Sequence, residues 1–242
     1  MKKIVAVIPV RKGSQRVLNK NFKLFYDNKS LLERKIEVLQ KVESLDEIII
    51  HSDSNLAKDI ASKYKVKFQK REDYYASSEC PGIHCGDIAH TKTQISPEFV
   101  DLCRDFFENL ASTIDADIIV HAPCTSPLVS AKTYTSMINQ FSLSVDHDSV
   151  NTVAEVKEFM WLNNKPLNYN PFTAPNSQDL PDVYKLTFGC NVLSKETMIK
   201  NKHVVGENPS FYIVDEVEAV DIDTPLDFKI AQTILNQDNG FI

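Results

Sequence analysis

The chain has 242 residues, 43% hydrophobic and 25% charged, an ordinary balance for a folded globular protein with room for one substantial core. Its net charge of -6 argues against a nucleic-acid partner, which would call for a broadly basic surface. Lys2 and Lys3 precede an apolar run that Arg11 cuts short, too early for a secretory leader or a membrane span, so a cytoplasmic protein with no membrane partner is expected.

In chain order, the first expected element is a buried strand over Ile4, Val5, Ala6, Val7, Ile8, Pro9 and Val10. It empties into Arg11, Lys12, Gly13, Ser14, Gln15 and Arg16, followed by Asn19, Lys20 and Asn21. A cationic loop containing Gly and Ser, at the carboxyl end of a buried strand, is how α/β proteins hold a phosphorylated nucleotide. The four cationic side chains in this stretch would repel one another unless a polyanion sits among them or they splay into water as a basic turn. The loop carries neither a Walker A sequence nor a G-x-G-x-x-G fingerprint.

Ser30 and Glu33 then read as a capping box opening an amphipathic helix through Ile36, Leu39 and Val42. Glu47 to His51 is a second buried strand, Ser52, Asp53 and Ser54 a turn and cap, Asn55 to Tyr64 a helix, and Val66 to Phe68 a short strand. Strands alternating with helices imply a mostly parallel sheet with right-handed crossovers. From Arg71 to about Ser96 the chain reads as irregular and polar, and a helix begins at Ser96 and Pro97, running through Phe106 and Leu110. Cys80, His84, Cys85 and His90 crowd together there, but their spacing matches no common zinc pattern. With five cysteines in all, odd in number and scattered, reduced thiols are expected rather than disulfides.

A central strand over Asp117 to His121 ends in Ala122, Pro123, Cys124, Thr125, Ser126, Pro127 and Leu128, small residues that leave room at the ligand edge of a sheet. A helix from Ala131 to Phe141 and a strand from Ser149 to Val156 follow. From Lys157 to Asp182 the chain shows neither helical nor strand periodicity, and it reads as an arm reaching over a site or toward a second subunit, or else as a surface loop. Trp161, Tyr169 and Phe172 are expected to bury against something other than the arm itself, which points to a homodimer.

Near the C-terminus stands Val220, Asp221, Ile222, Asp223, Thr224, Pro225, Leu226, Asp227 and Phe228. On a strand, Asp221 and Asp223 would share one face while Val220 and Ile222 point into the core. Two carboxylates side by side call for a cation, which makes them plausible ligands of a magnesium ion bridging phosphates. Thr224, Pro225 and Asp227 also read as the start of a helix.

The N-terminal stretch from Ile8 to Asn21 closely resembles the signature of the acylneuraminate (CMP-sialic acid synthetase) cytidylyltransferases, approximately I-P-A-R-x-G-S-K-R-I-P-x-K-N, with Gln15 and Leu18 replacing a lysine and a proline. The stretch from Asp221 to Phe228 resembles that family's metal motif D-I-D-x-P-x-D-F. Further similar stretches fall in order between the ends, at Ser52 to Ser54, Arg71 with Ala76 and Ser77, Thr125 to Leu128, Asp148 to Val150 and Gln178 to Pro181, so the resemblance spans nearly the whole chain. It implies a single cytidylyltransferase domain over 1–242, built as a Rossmann-like α/β sheet with helices on both faces and a projecting arm, 157–182, for dimerisation and acceptor contact.

By the same resemblance Arg11, Ser14, Arg16, Lys20 and Asn21 would hold CTP, with Arg71, Ala76 and Ser77 at the nucleotide pocket. Asp221 and Asp223 would bind Mg2+, and Arg11, Lys20 and Asp223 would carry the catalytic step. The acceptor half departs from the pattern: Pro123 and Val129 stand where the family has glutamine and arginine, and the run Pro175 to Pro181 lacks the family's arginines. Arginine forks bind carboxylates, so an acidic sugar must be held differently here or the acceptor is not sialic acid. Gln178 and Asp179 are the acceptor contacts that remain. The expected reaction is CMP transfer from CTP to a small anionic acceptor, a nonulosonic or related 2-keto acid sugar. CMP transfer to a phosphonate, or CTP binding without catalysis, are the alternatives.

Overall fold

A computed structural model describes residues 2–14, 16–76 and 106–237. Strands β1 (Ile4–Val10), β4 (Glu47–Ser52), β5 (Lys67–Lys70), β6 (Ile118–His121), β7 (Ser149–Val156), β10 (Val183–Ser194) and β11 (Pro209–Val214) form one sheet in the order β11-β7-β10-β6-β1-β4-β5. All neighbouring pairs are parallel except those made by β10, which runs antiparallel to β6 and β7. The expected mostly parallel α/β sheet is what the residues build.

The alternation of β1 explains the layering. Ala6, Ile8 and Val10 pack with α1 (Leu31–Leu39), α2 (Asn55–Tyr64), α4 (Ala131–Leu143) and α6 (Pro225–Gln237), while Val5 and Val7 pack with Phe106, Leu110, Ile114 and Met198. Successive side chains of a strand face opposite ways, so a strand buried on both sides reads as an unbroken apolar run. Met198 belongs to α5 (Lys195–Asn201). The short hairpin β2 (Leu24–Tyr26) and β3 (Lys29–Ser30) leads into α1, and α3 is the turn of helix Asp73–Ala76.

The chain passes from β1 to β4 and β5 on one side of β1, then returns to β6 on the other. This reversal opens a crevice beyond the carboxyl ends of β1 and β6, where ligands dock in such sheets.

Several sequence expectations are corrected in detail. Helix α1 has its capping box, with the Ser30 amide donating to Glu33 Oε2 (2.9 Å) and the Glu33 amide to Ser30 Oγ (3.3 Å). It nevertheless stops at Leu39, and Val42 is buried by a following turn. The expected strand at Val66 begins one residue later and runs to Lys70.

The arm is not free of strand structure: β8 (Trp161–Leu162) and β9 (Lys165–Pro166) pair around Asn163 and Asn164, whose φ values of 51° and 60° suit a tight hairpin turn. Strands of two residues are too short to show a period. Tyr169 packs within the arm, its ring 4.8 Å from Phe159 and 6.1 Å from Trp161, so the expectation that all three aromatic residues bury elsewhere fails for Tyr169. Phe172 is 94% exposed and Trp161 57%. The cluster Cys80, His84, Cys85 and His90, the helix start at Ser96, and Ser77 lie outside the described residues.

Candidate active site

At the carboxyl end of β1 the chain enters the basic loop through Gly13, whose φ of +83° disfavours any side chain. Asp53, just beyond β4, braces this loop by accepting the Lys12 amide at 2.8 Å. Residues 16–22 then form a series of turns. They bring Arg11, Ser14, Arg16, Lys20 and Asn21 to one cleft of about 300 Å³, together with Pro9, Arg71, Phe106, Phe107, His121, Thr125 and Asp223. Residues separated by more than 200 positions in the chain meet here, and the two sequence motifs become one site.

Each end of the cleft has its own character. At one end Asp223 Oδ1 pairs with Arg16 at 3.1 Å and lies 3.7 Å from Lys20, whose ammonium also contacts the Ile222 carbonyl. At the other, the Arg71 guanidinium lies 4.2 Å from the ring centre of Phe106, which in turn meets Phe107 edge to face. Arg71 is buried, and its charge together with burial keeps neighbouring His51 neutral, its pKa depressed to about 3 chiefly by desolvation. Asn21 is fixed from two sides, its carbonyl accepting the Leu32 amide and its side-chain oxygen facing the Cys124 thiol at 3.3 Å. Burial pushes that thiol up to about 12, so Cys124 is no nucleophile at neutral pH.

The acidic pair is not on a strand, contrary to expectation. Residues 221–223 form an irregular segment, because the Ile222 amide donates to the Thr125 carbonyl (2.8 Å) rather than to a ladder. Ile222 is fully buried as expected, and Asp221 and Asp223 on either side of it are only partly buried, but they line different cavities. Asp223 lines the cleft with the cations, whereas Asp221 lines a larger open cavity of about 980 Å³ alongside Lys157, Lys185, Glu155 and Asp227. Asp221 also bonds to Thr125 and Ser126, the latter at 3.3 Å. The two carboxylates, two positions apart in the chain, therefore connect the linings of the two cavities. Burial, helped by the charge of Asp223, holds the Asp221 carboxyl above the usual range.

Asp223 is positioned by α6. Asp227 in the first turn accepts the amides of Asp223 (3.0 Å) and Thr224 (2.6 Å), and Thr224 Oγ1 caps the Asp227 amide at 3.3 Å. Against its burial, these amides hold the Asp227 carboxyl below its usual range. The pair Asp221 and Asp223 offers hard oxygen donors of the kind magnesium takes. No cluster of three or more His, Cys, Asp or Glu side chains among the described residues is arranged for a metal. Magnesium in nucleotide sites commonly takes one or two carboxylates and completes its shell with phosphate oxygens and water, so these residues fit the ion.

Of the remaining sequence candidates, Ala76 is buried at the end of α3 and does not line the cleft. Gln178 and Asp179 form an exposed 3-10 turn of the arm and line neither cavity. Sequence reasoning missed Asp53 as the loop brace, and it missed Phe107 and His121 as cleft walls. It also missed Lys35, whose buried ammonium holds the Ser126 carbonyl (2.8 Å) and the Tyr134 hydroxyl (2.6 Å). A lysine on the apolar face of a predicted helix was the one available signal for Lys35. Nothing local marks the others.

Residues 5–77 match a family model described as Cytidylyltransferase. A CMP-N,N'-diacetyllegionaminic acid synthase from Campylobacter jejuni is 26% identical over 240 residues, covering 99% of this chain and 97% of that protein. A post-translational flagellin modification protein B from Campylobacter coli is 24% identical over 254 residues, covering 99% and 97%. Among solved structures, CMP:2-keto-3-deoxy-manno-octonic acid synthetase complexed with CTP superposes with a TM-score of 0.67 at 13% identity, covering 98% of this chain and 99% of the other. A 4-diphosphocytidyl-2C-methyl-D-erythritol synthase from Anaerococcus prevotii superposes with a TM-score of 0.63 at 15% identity, covering 97% and 96%. The family match begins in β1 and ends just past α3, and the relatives align with this chain from end to end, so the chain is similar to cytidylyltransferases in sequence and shares their fold.

Proposed function

We propose that this chain transfers CMP from CTP to an acidic sugar of the nonulosonic or 2-keto acid kind, releasing pyrophosphate. The observation that carries the reading is the meeting of the basic loop and Asp223 in one cleft at the sheet's switch point, with Arg16 and Lys20 each within 4 Å of the Asp223 carboxylate. The triphosphate lies along Arg11, Ser14, Arg16 and Lys20, and the cytidine lies toward Arg71 and the phenylalanines. An acceptor hydroxyl attacks the α-phosphorus, the bond to the bridging oxygen of pyrophosphate breaks, and Arg11 and Lys20 stabilise the negative charge that develops. Magnesium held by Asp221 and Asp223 would neutralise phosphate charge. No covalent enzyme intermediate is needed.

The acceptor occupies the neighbouring cavity. Lys157 and Lys185 line it and supply cations for a carboxylate where the family's arginines are missing, Lys157 sharing its charge with Asp182 at 2.7 Å. Gln178 and Asp179 contribute acceptor contacts from the arm in a homodimer, in the cytoplasm. No helix among the described residues is long and apolar enough to cross a membrane.

The test is incubation with CTP, magnesium and a panel of acidic sugars and phosphonates, reading pyrophosphate release and the mass of the conjugate. A CMP-sugar acid is the expected product. A conjugate formed only with phosphonates would replace the acceptor class, and CTP binding without pyrophosphate from any acceptor would reduce the protein to a nucleotide binder.

A further inference from the structure

His121 ends β6 at the back of the nucleotide cleft, 7% exposed, with the Phe107 ring edge to face at 5.8 Å. Across the sheet it is in register with Asn191 of β10, which is in register with Asn151 of β7. These three side chains form a buried row whose proton positions are fixed by backbone groups. The Gly206 amide donates to Ser149 Oγ (2.9 Å), so the Ser149 hydroxyl donates onward to Asn151 Oδ1 (2.8 Å). Asn151 Nδ2 donates to the Val204 carbonyl (2.8 Å), which can only accept, and to Asn191 Oδ1 (2.9 Å). Asn191 therefore turns its amide nitrogen to His121 Nδ1 at 3.2 Å, and the Phe188 carbonyl at 3.4 Å requires the same orientation. His121 Nδ1 must accept, so its proton resides on Nε2.

Burial keeps the ring neutral, its pKa depressed to about 4 by desolvation and then by His203. No acceptor for Nε2 stands among the described residues. A neutral N-H donor of fixed tautomer on a residue that lines the cleft, with no acceptor among the described residues, can meet an acceptor on the ligand. The triphosphate end already has Arg16 and Lys20 at Asp223, whereas His121 stands with Phe106, Phe107 and Pro9, the surface on which a planar base packs.

We infer that His121 is a specificity-determining residue whose Nε2-H donates to the N3 acceptor of the cytosine ring, with Asn191 and Asn151 as positioning residues that set its tautomer. Uracil carries a hydrogen on N3, so the same donor would oppose it and leave two N-H groups facing each other. The inference rests on the proposed binding of CTP, and so CTP and UTP affinities are measured by calorimetry without an acceptor, independent of turnover.

His121→Phe keeps a ring but removes the donor. It should weaken CTP by about tenfold or more and lower the CTP-over-UTP preference by a similar factor. Asn191→Asp is nearly isosteric but can only accept, so it should move the ring proton to Nδ1, turn Nε2 into an acceptor and shift the preference toward UTP. Nitrogen NMR of the labelled imidazole reads the tautomer directly, and thermal melting shows that each variant is folded. A folded His121→Phe with the wild-type CTP-to-UTP ratio would overturn the inference. So would Asn191→Asp with its proton on Nδ1 and an unchanged ratio, which serves equally should His121→Phe not fold. Wild-type protein that binds CTP selectively yet releases no pyrophosphate with any acceptor would leave His121 in place and remove the transferase reading instead.

Discussion

Lys35 projects from α1 into the core, where its ammonium is fully enclosed between the Ser126 carbonyl and Tyr134. Burial lowers its pKa from 10.5 to about 8. The unfolded chain therefore keeps the proton to higher pH than the folded protein, and stability rises as pH climbs from about 8 to 10.5. Lys35→Met should abolish that component, which chemical denaturation of both proteins at pH 7.5 and pH 10 would reveal as a smaller gain in the variant. An equal gain would locate the titration elsewhere. Asp223 makes a second residue-scale prediction. Asp223 and Arg16 are about half exposed and Lys20 lies 3.7 Å away, so the Arg16 pair is worth less than about 1 kcal/mol after screening by solvent and the longer Lys20 contact adds little. Asp223→Asn should therefore leave the melting temperature nearly unchanged while transfer activity collapses. Near-full activity at limiting magnesium would withdraw the metal role. Asp223 was legible from its motif. Its two cationic partners were not, because the sequence places them about 200 positions away.

The start of α6 links helix stability to the site. Asp227 takes the amides of Asp223 and Thr224 at once, so Asp227→Ala removes the helix's first-turn anchor and the brace on a carboxylate of the cleft. A loss of about 0.5–2 kcal/mol is expected from urea unfolding. Activity should fall more steeply than stability alone accounts for, measured at a temperature where the variant is fully folded. The helix start was read from Thr224 and Pro225 because capping is local chemistry. The same reasoning found α2 and the capping box of α1. It failed at the strand assigned to Asp221 and Asp223, since alternation of polar and apolar residues also fits an extended segment whose backbone bonds to a loop at Thr125.

At the scale of the whole molecule, the arm and neighbouring strands leave Trp161, Leu162, Phe172, Phe211 and Ile213 substantially exposed. Such a collection of apolar groups on one chain is what a second subunit would cover. Sedimentation at micromolar concentration should give twice the 27.4 kDa chain mass, and Trp161→Ala combined with Phe172→Ala should shift it toward the monomer. A monomeric wild-type protein would remove the dimer and, with it, the arm's route to a partner's acceptor cavity.

What the sequence by itself determined was whatever depends on near neighbours: the buried β1 run, the helix caps, the cationic loop with Gly13, and the two carboxylates flanking Ile222. Periodicity and capping act over a few residues, and an α/β sheet follows from their alternation. Only the tertiary structure decided which groups meet. Strand order brought Arg16 to Asp223 and divided the acidic pair between two cavities. The insertion of antiparallel β10 between β6 and β7 placed Asn191 between His121 and Asn151. Cross-strand register depends on pairings among segments far apart in the chain, so no local reading of His121 could reveal the proton its neighbours assign to it.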